Sequence, residues 1–373
     1  MRHVGFDAKR LFFNPSGLGN YSRSIVRALA LHTDDLKLSL FSPKKKSNWQ
    51  NDIAIEGLDD FSTLNHVQFV NKPLKPFWWR SFGMGKSAAE LKVDVFHGLS
   101  NEIPFDLPKH IRSICTIHDL IFMDQPGNYP WLDRKVYLKK VSYAMKQSNV
   151  IVSTSEFTKD RLLYHFPGTT SRIEVIYQPI HPIFRSQYEN PTEITDPYLI
   201  YHSGFNRRKN HITLLKSFES IRNSIQHKLV LAGVAGDTLN EVQDFIKNSG
   251  LENRVQVHIN IGRQDLVRLL RNAVGFVYPS LMEGFGIPLA EAAACGLNAA
   301  VSDIPVFNEL SRDGLLSFNP NDFHDLAMKM QQLVNLDESE KEKQTLARRR
   351  ILQITDETSI AKQLRDLYFQ QEN

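Results

Sequence analysis

Two glutamates, Glu283 and Glu291, stand with seven residues between them in the stretch SLMEGFGIPLAEAAACG, residues 280–296. Gly284 and Gly286 can take positive φ and let a ligand come close to the backbone. Pro288 sits at a favoured first position of a helix. A helix opening there would offer its free N–H groups and the positive end of its dipole to an anion such as phosphate. Glu291 is expected in the first turn of that helix and Glu283 ahead of it, neither with an obvious cation nearby in sequence. A carboxylate in such a place can accept hydrogen bonds from the vicinal hydroxyls of ribose or sugar rings. Equally, Glu291 can complement the helix dipole, worth ~0.3–1 kcal/mol, with Glu283 an ordinary loop residue. Ala290, Ala292, Ala293, Ala294 and Gly296 would let the helix lie close against a sheet.

A second candidate group is NRRKN, which places Arg207, Arg208 and Lys209 just after the end of an apolar run. Fixed cations there can stabilise charge developing on a diphosphate leaving group, and Lys209 with Arg208 is the pair best placed for it. A solvated basic loop is the plain alternative. Gly17 and Gly19, in PSGLGNYS, lead into a helix and can bring backbone N–H groups to a phosphate. His118 ends an apolar strand in TIHDL, where a cleft-facing imidazole can do chemistry; Asp119 reads as a loop cap or a support for it. His97, Ser100 and Asn101 in FHGLSN are weaker candidates for contact with a polar ligand. There is no Cys/His zinc spacing and no D-x-D triplet. Cys115 and Cys295 read as buried free thiols.

These residues need elements to hold them. Apolar runs at HVGFDA, LKLSLFS, HVQFV, VDVFHG, RSICTIHD and NVIVSTS read as strands, with helices at about 19–32, 132–147 and 156–165. The pattern restarts after a polar, proline-rich stretch. Strands YLIYHSG, HKLVLAG, RVQVHI, VGFVYPS and LNAAVSD alternate with helices from NHITLLKSFESIRNS, LNEVQDFIKNSG, RQDLVRLLRNA and IPLAEAAACG, before a terminal helix SIAKQLRDLYFQ. Alternation of this kind predicts parallel sheets covered on both faces. The expected organisation is a first doubly wound domain over 1–178, a linker over 179–197 and a second domain over 198–355. A helix over 356–373 would then have the first domain available to pack back on. Ligands in such sheets bind beyond the carboxyl ends of the strands.

The chain has 373 residues, 42% hydrophobic and 23% charged, as soluble globular proteins do. No apolar run reaches the roughly 18–20 residues of a membrane span. The start MRHVGFDAKRLFF lacks a signal-peptide core, so a cytoplasmic protein is expected. Residues 1–178 carry 24 Lys and Arg against 17 Asp and Glu, and the remainder 21 against 24, so the first half is basic and the second mildly acidic. Two basic-aromatic segments lie in the first half. One has Lys72, Lys75, Arg80 and Lys86 with Phe77, Trp78 and Trp79; the other has Arg134, Lys135, Lys139, Lys140 and Lys146 on one helix. They suggest contact with anionic lipid or another lipid-borne phosphate, as against a solvated helix face and a partly buried Trp pair. Nucleic acid is not an expected partner.

The run EGFGIPLAE resembles the signature loop of retaining glycosyltransferases of the GT-B fold, and more narrowly glycosyltransferase family 4. FNPSGLGNYSRSIVRAL, VFHGLSNEIP, TIHDLIF, VSTSEFTKDRL and YHSGFNRRKNHITLLKSF resemble further segments of that family in the expected order, so the likeness spans nearly the whole chain. It implies an α/β GT-B architecture of two doubly wound Rossmann-like domains facing a central cleft. By the resemblance, Glu291 would hold the nucleotide ribose and Glu283 the donor sugar hydroxyls. The amides of Gly284, Phe285, Gly286 and Ile287 would line sugar and diphosphate, and His118 would sit near sugar and acceptor. The donor would be a nucleotide diphosphate sugar, with GDP-mannose leading, used without a metal or other cofactor. The acceptor would be a glycan or lipid-linked oligosaccharide at the inner membrane face, attacked on the same face the leaving phosphate occupies, with that phosphate taking the proton. Two departures stand out: Phe205 comes after Gly204 where relatives often carry arginine, and Asn298 stands where proline is common. Three other readings remain: a GT-B synthase with a soluble product, a non-catalytic transferase-like scaffold, and an NAD-dependent Rossmann enzyme. The last lacks the third glycine of its fingerprint in GLGNYS.

Overall fold

The computed structural model describes residues 1–14, 17–42, 66–71, 76–186 and 196–370; Lys72, Lys75 and the side chain of Phe77 lie outside that description. The described residues form two compact units, Met1–Pro179 together with Thr355–Asn373, and Ile180–Ile354.

The first unit is built on seven strands: β1 Arg2–Asp7, β2 Leu36–Ser42, β3 Val67–Asn71, β4 Val95–Gly98, β5 Arg112–Ile117, β6 Val150–Ser153 and β7 Arg172–Val175. All pairings are parallel, in the order β3-β2-β1-β4-β5-β6-β7. Residues of β4 and β6 are buried throughout, which is why these strands read as unbroken apolar runs instead of alternating ones. The sheet order reverses between β1 and β4, opening a crevice at their carboxyl ends. The last helix, Glu357–Phe369, packs on helix Gly17–His32 and on β1. Its Ile360, Leu364, Leu367 and Tyr368 join Val4, Phe6, Ile25 and Leu29 in one core. Arg27 with Glu357 and Arg365 with Asp35 clamp it in place.

The second unit holds six parallel strands: β8 Tyr198–His202, β9 Lys228–Gly233, β10 Val255–Ile259, β11 Gly275–Tyr278, β12 Ala299–Ser302 and β13 Leu316–Phe318. Their order, β10-β9-β8-β11-β12-β13, puts the reversal between β8 and β11. Tyr201, Phe218, Phe276 and Phe307 are fully buried around these strands. Ile180 and Phe184, in the segment read from sequence as linker, are buried in this unit, and Arg271 bonds the Phe184 carbonyl. Asn298 is fitted into its place by a hydrogen bond from Arg348, and β12 begins intact at the next residue.

Sequence reading missed β7, the short helices Lys9–Phe13, Pro76–Phe82, Met84–Glu90 and Ile121–Asp124, the helices Pro305–Ser311, Phe323–Leu333 and Glu338–Ile354, and β13. β13 has only three residues. The long helix ESEKEKQTLARRRILQI is mostly charged and buries only Gln344, Ala347 and Ile351, so its apolar period is too sparse to stand out.

Candidate active site

In the second unit, β8 and β11 flank the point of reversal, and the loops leaving these two strands carry the candidate residues. After β8 the chain passes Gly204 and makes a short 3-10 turn at Arg207–Lys209. Asn210 takes a left-handed conformation, φ 60°, which asparagine tolerates better than most residues. Its amide donates to the carbonyls of Pro279 (3.0 Å) and Pro320 (2.8 Å). Tyr201 bonds the Lys209 carbonyl at 3.0 Å. The basic loop is therefore stitched to the end of β11, and it is not a solvated one: Lys209 is 8% exposed.

Both cations converge on one carboxylate. Lys209 Nζ bonds Glu283 Oε1, and Arg208 Nη1 lies 2.8 Å from Glu283 Oε2 while also reaching the Met282 carbonyl at 2.6 Å. Glu283 therefore has cation partners after all, brought from 74 residues away. Burial alone would push its carboxyl up; the Arg208 and Lys209 charges, with hydrogen bonds from Lys209 and Ser280, outweigh that and hold it at about 2. Arg207 is exposed and Phe205 is buried, stacked on His211 with ring centroids 4.5 Å apart. Arg208 is thus the arginine that accompanies Lys209.

The turn after Glu283 narrows to one glycine with special geometry. Gly286 has φ 99°, whereas Gly284 does not take positive φ. A Cβ at Gly286 would lie 2.7 Å from the Phe307 ring. Gly286 caps helix Ile287–Ala294, and Pro288 is its second residue, not the first. Phe285 is buried, Ala290, Ala292 and Ala293 are buried, and the amides from Gly284 to Ile287 lie along the turn and helix start.

Glu291 is not in the first turn: it is the fifth residue of the helix, too far along for a dipole-capping role. Its side chain is 13% exposed, and its Oε2 lies 3.3 Å from His202 Nε2 at the end of β8. Burial pushes the Glu291 carboxyl up to about 8, against an opposing pull from Arg263. His202 was not among the residues singled out from sequence. The signal was its place: a polar residue at the carboxyl end of a central strand, beside the point of reversal. Cys295, read as buried, is only partly so, and both thiols are free.

In the first unit, helix Gly17–His32 begins at Gly17 and packs closely at Gly19, where a Cβ would come within 1.8 Å of the Asn14 carbonyl oxygen. That contact gives Gly19 a packing reason to be glycine. His118 is 8% exposed. Its Nε2 is 2.9 Å from the Leu99 carbonyl oxygen, which can only accept, so this nitrogen carries the proton and Nδ1 is the acceptor. Burial lowers it to about 4, so the ring is neutral near pH 7. Asp119 caps the next turn through the Ile121 amide. His97 is fully buried, with Nδ1 2.8 Å from the Tyr368 hydroxyl and Nε2 2.8 Å from Thr116 Oγ1. It therefore ties the terminal helix to β5 and is not placed for the ligand contact suggested by its motif.

Ser100 and Asn101, by contrast, line a cavity of about 140 Å³ with Arg10, Glu102, Asp119 and Lys140 on its polar side. Phe122, Tyr129 and Tyr137 line the other. Paired charges beside aromatic faces suit a sugar ring, whose hydroxyls and C–H faces they match. Two residues assigned from sequence to a basic surface are instead held in ion pairs, Arg80 largely buried and Lys140 part-exposed. Arg80 bonds Asp7 at 2.7 Å and also Glu102, and Lys140 meets Glu102 at 2.7 Å.

Much of the second basic-aromatic segment is exposed. Trp131, Leu132, Val136 and Leu138 are exposed on helix Trp131–Gln147, with Lys135 over the Trp131 ring at 4.5 Å. Rings run from Tyr143 through Phe105 and Phe82 to Trp78, which is 65% exposed. Trp79 is buried and donates to Ser87 at 3.1 Å. Among the described residues no helix is long and apolar enough to cross a membrane.

Two doubly wound parallel sheets, each with charged residues at its point of reversal, define the GT-B class. Residues 15–183 match glycosyltransferase family 4, and residues 184–350 match the family described as glycosyl transferases group 1. O-antigen chain mannosyltransferase B of Escherichia coli is 25% identical over 326 residues, 82% of this chain and 84% of that protein. O-antigen chain mannosyltransferase RfbU of Salmonella typhimurium is 27% identical over 218 residues, 58% of this chain and 59% of that one. A sucrose-phosphate synthase from Thermosynechococcus elongatus shares the fold, with TM-score 0.74 at 18% identity over 99% of this chain and 98% of that one. The chain is a GT-B glycosyltransferase that resembles family 4, its first half matching that family and its second the group 1 transferases.

Proposed function

We propose that this glycosyltransferase moves a hexose, with mannose from GDP-mannose as the leading case, onto a hydroxyl of a glycan or lipid-linked acceptor in cell-surface polysaccharide synthesis. The observation that carries the reading is the convergence of Lys209 and Arg208 on Glu283 at the reversal point of the second sheet. Two cations and one carboxylate leave one net positive charge, fixed before any ligand arrives. A diphosphate entering there meets donors already oriented, so little reorganisation opposes charge build-up on the leaving oxygen. Glu283, an acceptor at neutral pH, suits sugar hydroxyls, and Glu291 suits the ribose. Among the described residues the charged partners of Glu283 are both cations, unlike the paired carboxylates of a hydrolase. This supports retention by same-face attack, with the leaving phosphate as base and no metal required. The names of the O-antigen relatives support mannose and polysaccharide synthesis. The cavity beside Asn101 and Tyr137 supports a sugar acceptor on the first unit.

The test is a donor panel: GDP-mannose, UDP-glucose, UDP-N-acetylglucosamine and dTDP-rhamnose, read by thermal shift and by product analysis. GDP-mannose at 100 times its Kd should stabilise the protein by ~2.7 kcal/mol, and the product should keep the donor's anomeric configuration. A shift with another nucleotide would replace the donor; an inverted product would overturn the mechanism.

The exposed aromatic and basic face supports peripheral contact with an anionic membrane. Vesicles containing anionic phospholipid should retain the protein and neutral phosphatidylcholine vesicles should not. Replacing Trp131 and Leu132 together by alanine should weaken retention without changing the thermal midpoint. Equal retention by both vesicle types would rule out the electrostatic part of this reading.

A further inference from the structure

We propose that His202 is the proton partner of Glu291: when ribose hydroxyls dock on Glu291, the carboxyl proton passes from Oε2 to His202 Nε2 and stays within the pair. This rests on the reading of Glu291 as the ribose residue. The geometry is specific. Glu291 Oε2 and His202 Nε2 are 3.3 Å apart, and this nitrogen is buried with no hydrogen-bond partner among the described residues, Glu291 included. The ring's other nitrogen serves the Pro288 backbone carbonyl, which fixes the proton there and leaves Nε2 as the acceptor. A neutral carboxyl turned to donate to a neutral imidazole would satisfy both atoms without burying a charge.

A ribose diol needs something different. Its two hydroxyls donate best to a carboxylate, since a charge-assisted hydrogen bond is roughly twice as strong as a neutral one. If Glu291 shed its proton to solvent, the site would gain a buried negative charge close to a diphosphate. Moving the proton 3.3 Å to the ring avoids this, because the Glu291–H bond breaks as the His202–H bond forms and the pair's net charge stays zero.

The other charged groups around the pair do not replace this role. Lys209 faces His202 from the 3-10 turn, and Arg263 faces Glu291 from helix Arg263–Arg271. Cys295, at the end of the helix that carries Glu291, has its thiol pushed up by burial, eased by Arg271 and raised further by Glu291. Tyr278 on β11 feels Glu283. Arg348 and Arg350 of helix Glu338–Ile354 are held by Asn298 and the Glu309 carbonyl. The Pro182–Phe184 turn has no titratable side chain. Burial pushes Glu291 up to about 8 and His202 down to about 3, in keeping with a single proton resting on the carboxyl in the free protein.

The test counts protons. GDP-mannose and UDP-glucose have no phosphate that titrates near neutrality, so titration calorimetry at pH 7 in buffers of contrasting ionisation enthalpy reports the protein's own change. The intact protein should bind its donor with no net proton release. His202→Asn, which keeps an amide for the Pro288 carbonyl but cannot hold the proton, should release close to one proton. Its donor affinity should rise by about tenfold per pH unit below the carboxyl's pKa, while the intact protein's stays flat. Release of a proton by the intact protein, or proton-neutral binding by His202→Asn, would overturn the proposal. Nitrogen NMR of His202 gives a second readout in the unmodified chain: neutral when free, imidazolium with donor bound. If Glu291→Gln binds donor as tightly as the parent, the ribose assignment itself has failed; if it binds weakly but no proton moves to His202, only the relay has.

Discussion

Replacing Lys209 by alanine is expected to lower kcat by about 10²–10³-fold, the usual loss when one preorganised donor to a developing anion is removed. The side chain is buried, ion-paired to Glu283 and anchored through its own carbonyl by Tyr201. Lys209→Arg should not restore the rate, because a planar guanidinium does not fit a site shaped for an ammonium beside Arg208. Steady-state kinetics with circular dichroism to verify folding makes the check. A folded Lys209→Ala enzyme turning over at close to the parent rate would remove Lys209 from the chemistry.

The same variant should change the pH dependence of stability, and the sign can be worked out. The Glu283 carboxyl is held at about 2 in the folded protein against an ordinary 4.5. A depressed carboxyl contributes stability that is fully present above the unfolded value and is lost as pH falls through the folded one. The parent should therefore lose this contribution between about pH 4.5 and pH 2. In Lys209→Ala, burial regains ground against Arg208 alone, the folded value rises, and the contribution at neutral pH shrinks. Urea midpoints from pH 3 to pH 7 should thus depend less steeply on pH in the variant. Identical slopes would mean that Lys209 does not set the charge state of Glu283.

Gly286→Ala is expected to be the most damaging single-methyl change in the site, at about 2–5 kcal/mol. Two separate costs add. The left-handed backbone at φ 99° costs a residue with a Cβ roughly 1–2 kcal/mol, and forcing that Cβ against packed atoms costs about 1–3 kcal/mol more. The packed atoms are those of Phe307, whose ring would be 2.7 Å away and is fully buried against Tyr278, with centroids 4.6 Å apart. A shift here also moves the start of the helix that carries Glu291, so donor affinity should fall along with the thermal midpoint. Phe307→Leu separates the terms: in that background Gly286→Ala should lose its steric part and keep its backbone part, giving a favourable coupling between the two sites. An unchanged midpoint in Gly286→Ala would show that the turn relaxes to another conformation.

Much of the architecture could be read from the chain alone, for a reason visible in β4, β6 and β12. Strands buried on both faces must be apolar along their whole length, and short apolar runs separated by helical stretches leave few arrangements besides parallel sheets. The turn EGFGIPLAE was readable in part: a positive φ at Gly286 and small residues where the helix meets its sheet are local demands, but the helix begins one residue before Pro288 and leaves Glu291 beyond its first turn. Residues whose role depends on distant partners were not readable. Arg80 looked like surface charge and proved to be a largely buried partner of Asp7 and Glu102, with Lys140 also paired to Glu102. His97 looked like a site residue and proved to be a strut to Tyr368, 271 residues away.

The sequence by itself determined most of the strands, though not β7 or β13, and which residue types stand at their carboxyl ends, because those depend on burial period and backbone conformation, which are properties of neighbours in the chain. Tertiary structure alone decided who pairs with whom: Lys209 and Arg208 with Glu283, His202 with Glu291, and the terminal helix with the first sheet. Such pairings set charge and protonation, which vary with distances of a few ångströms and with exclusion of water. Neither quantity exists until strands far apart in the chain lie side by side.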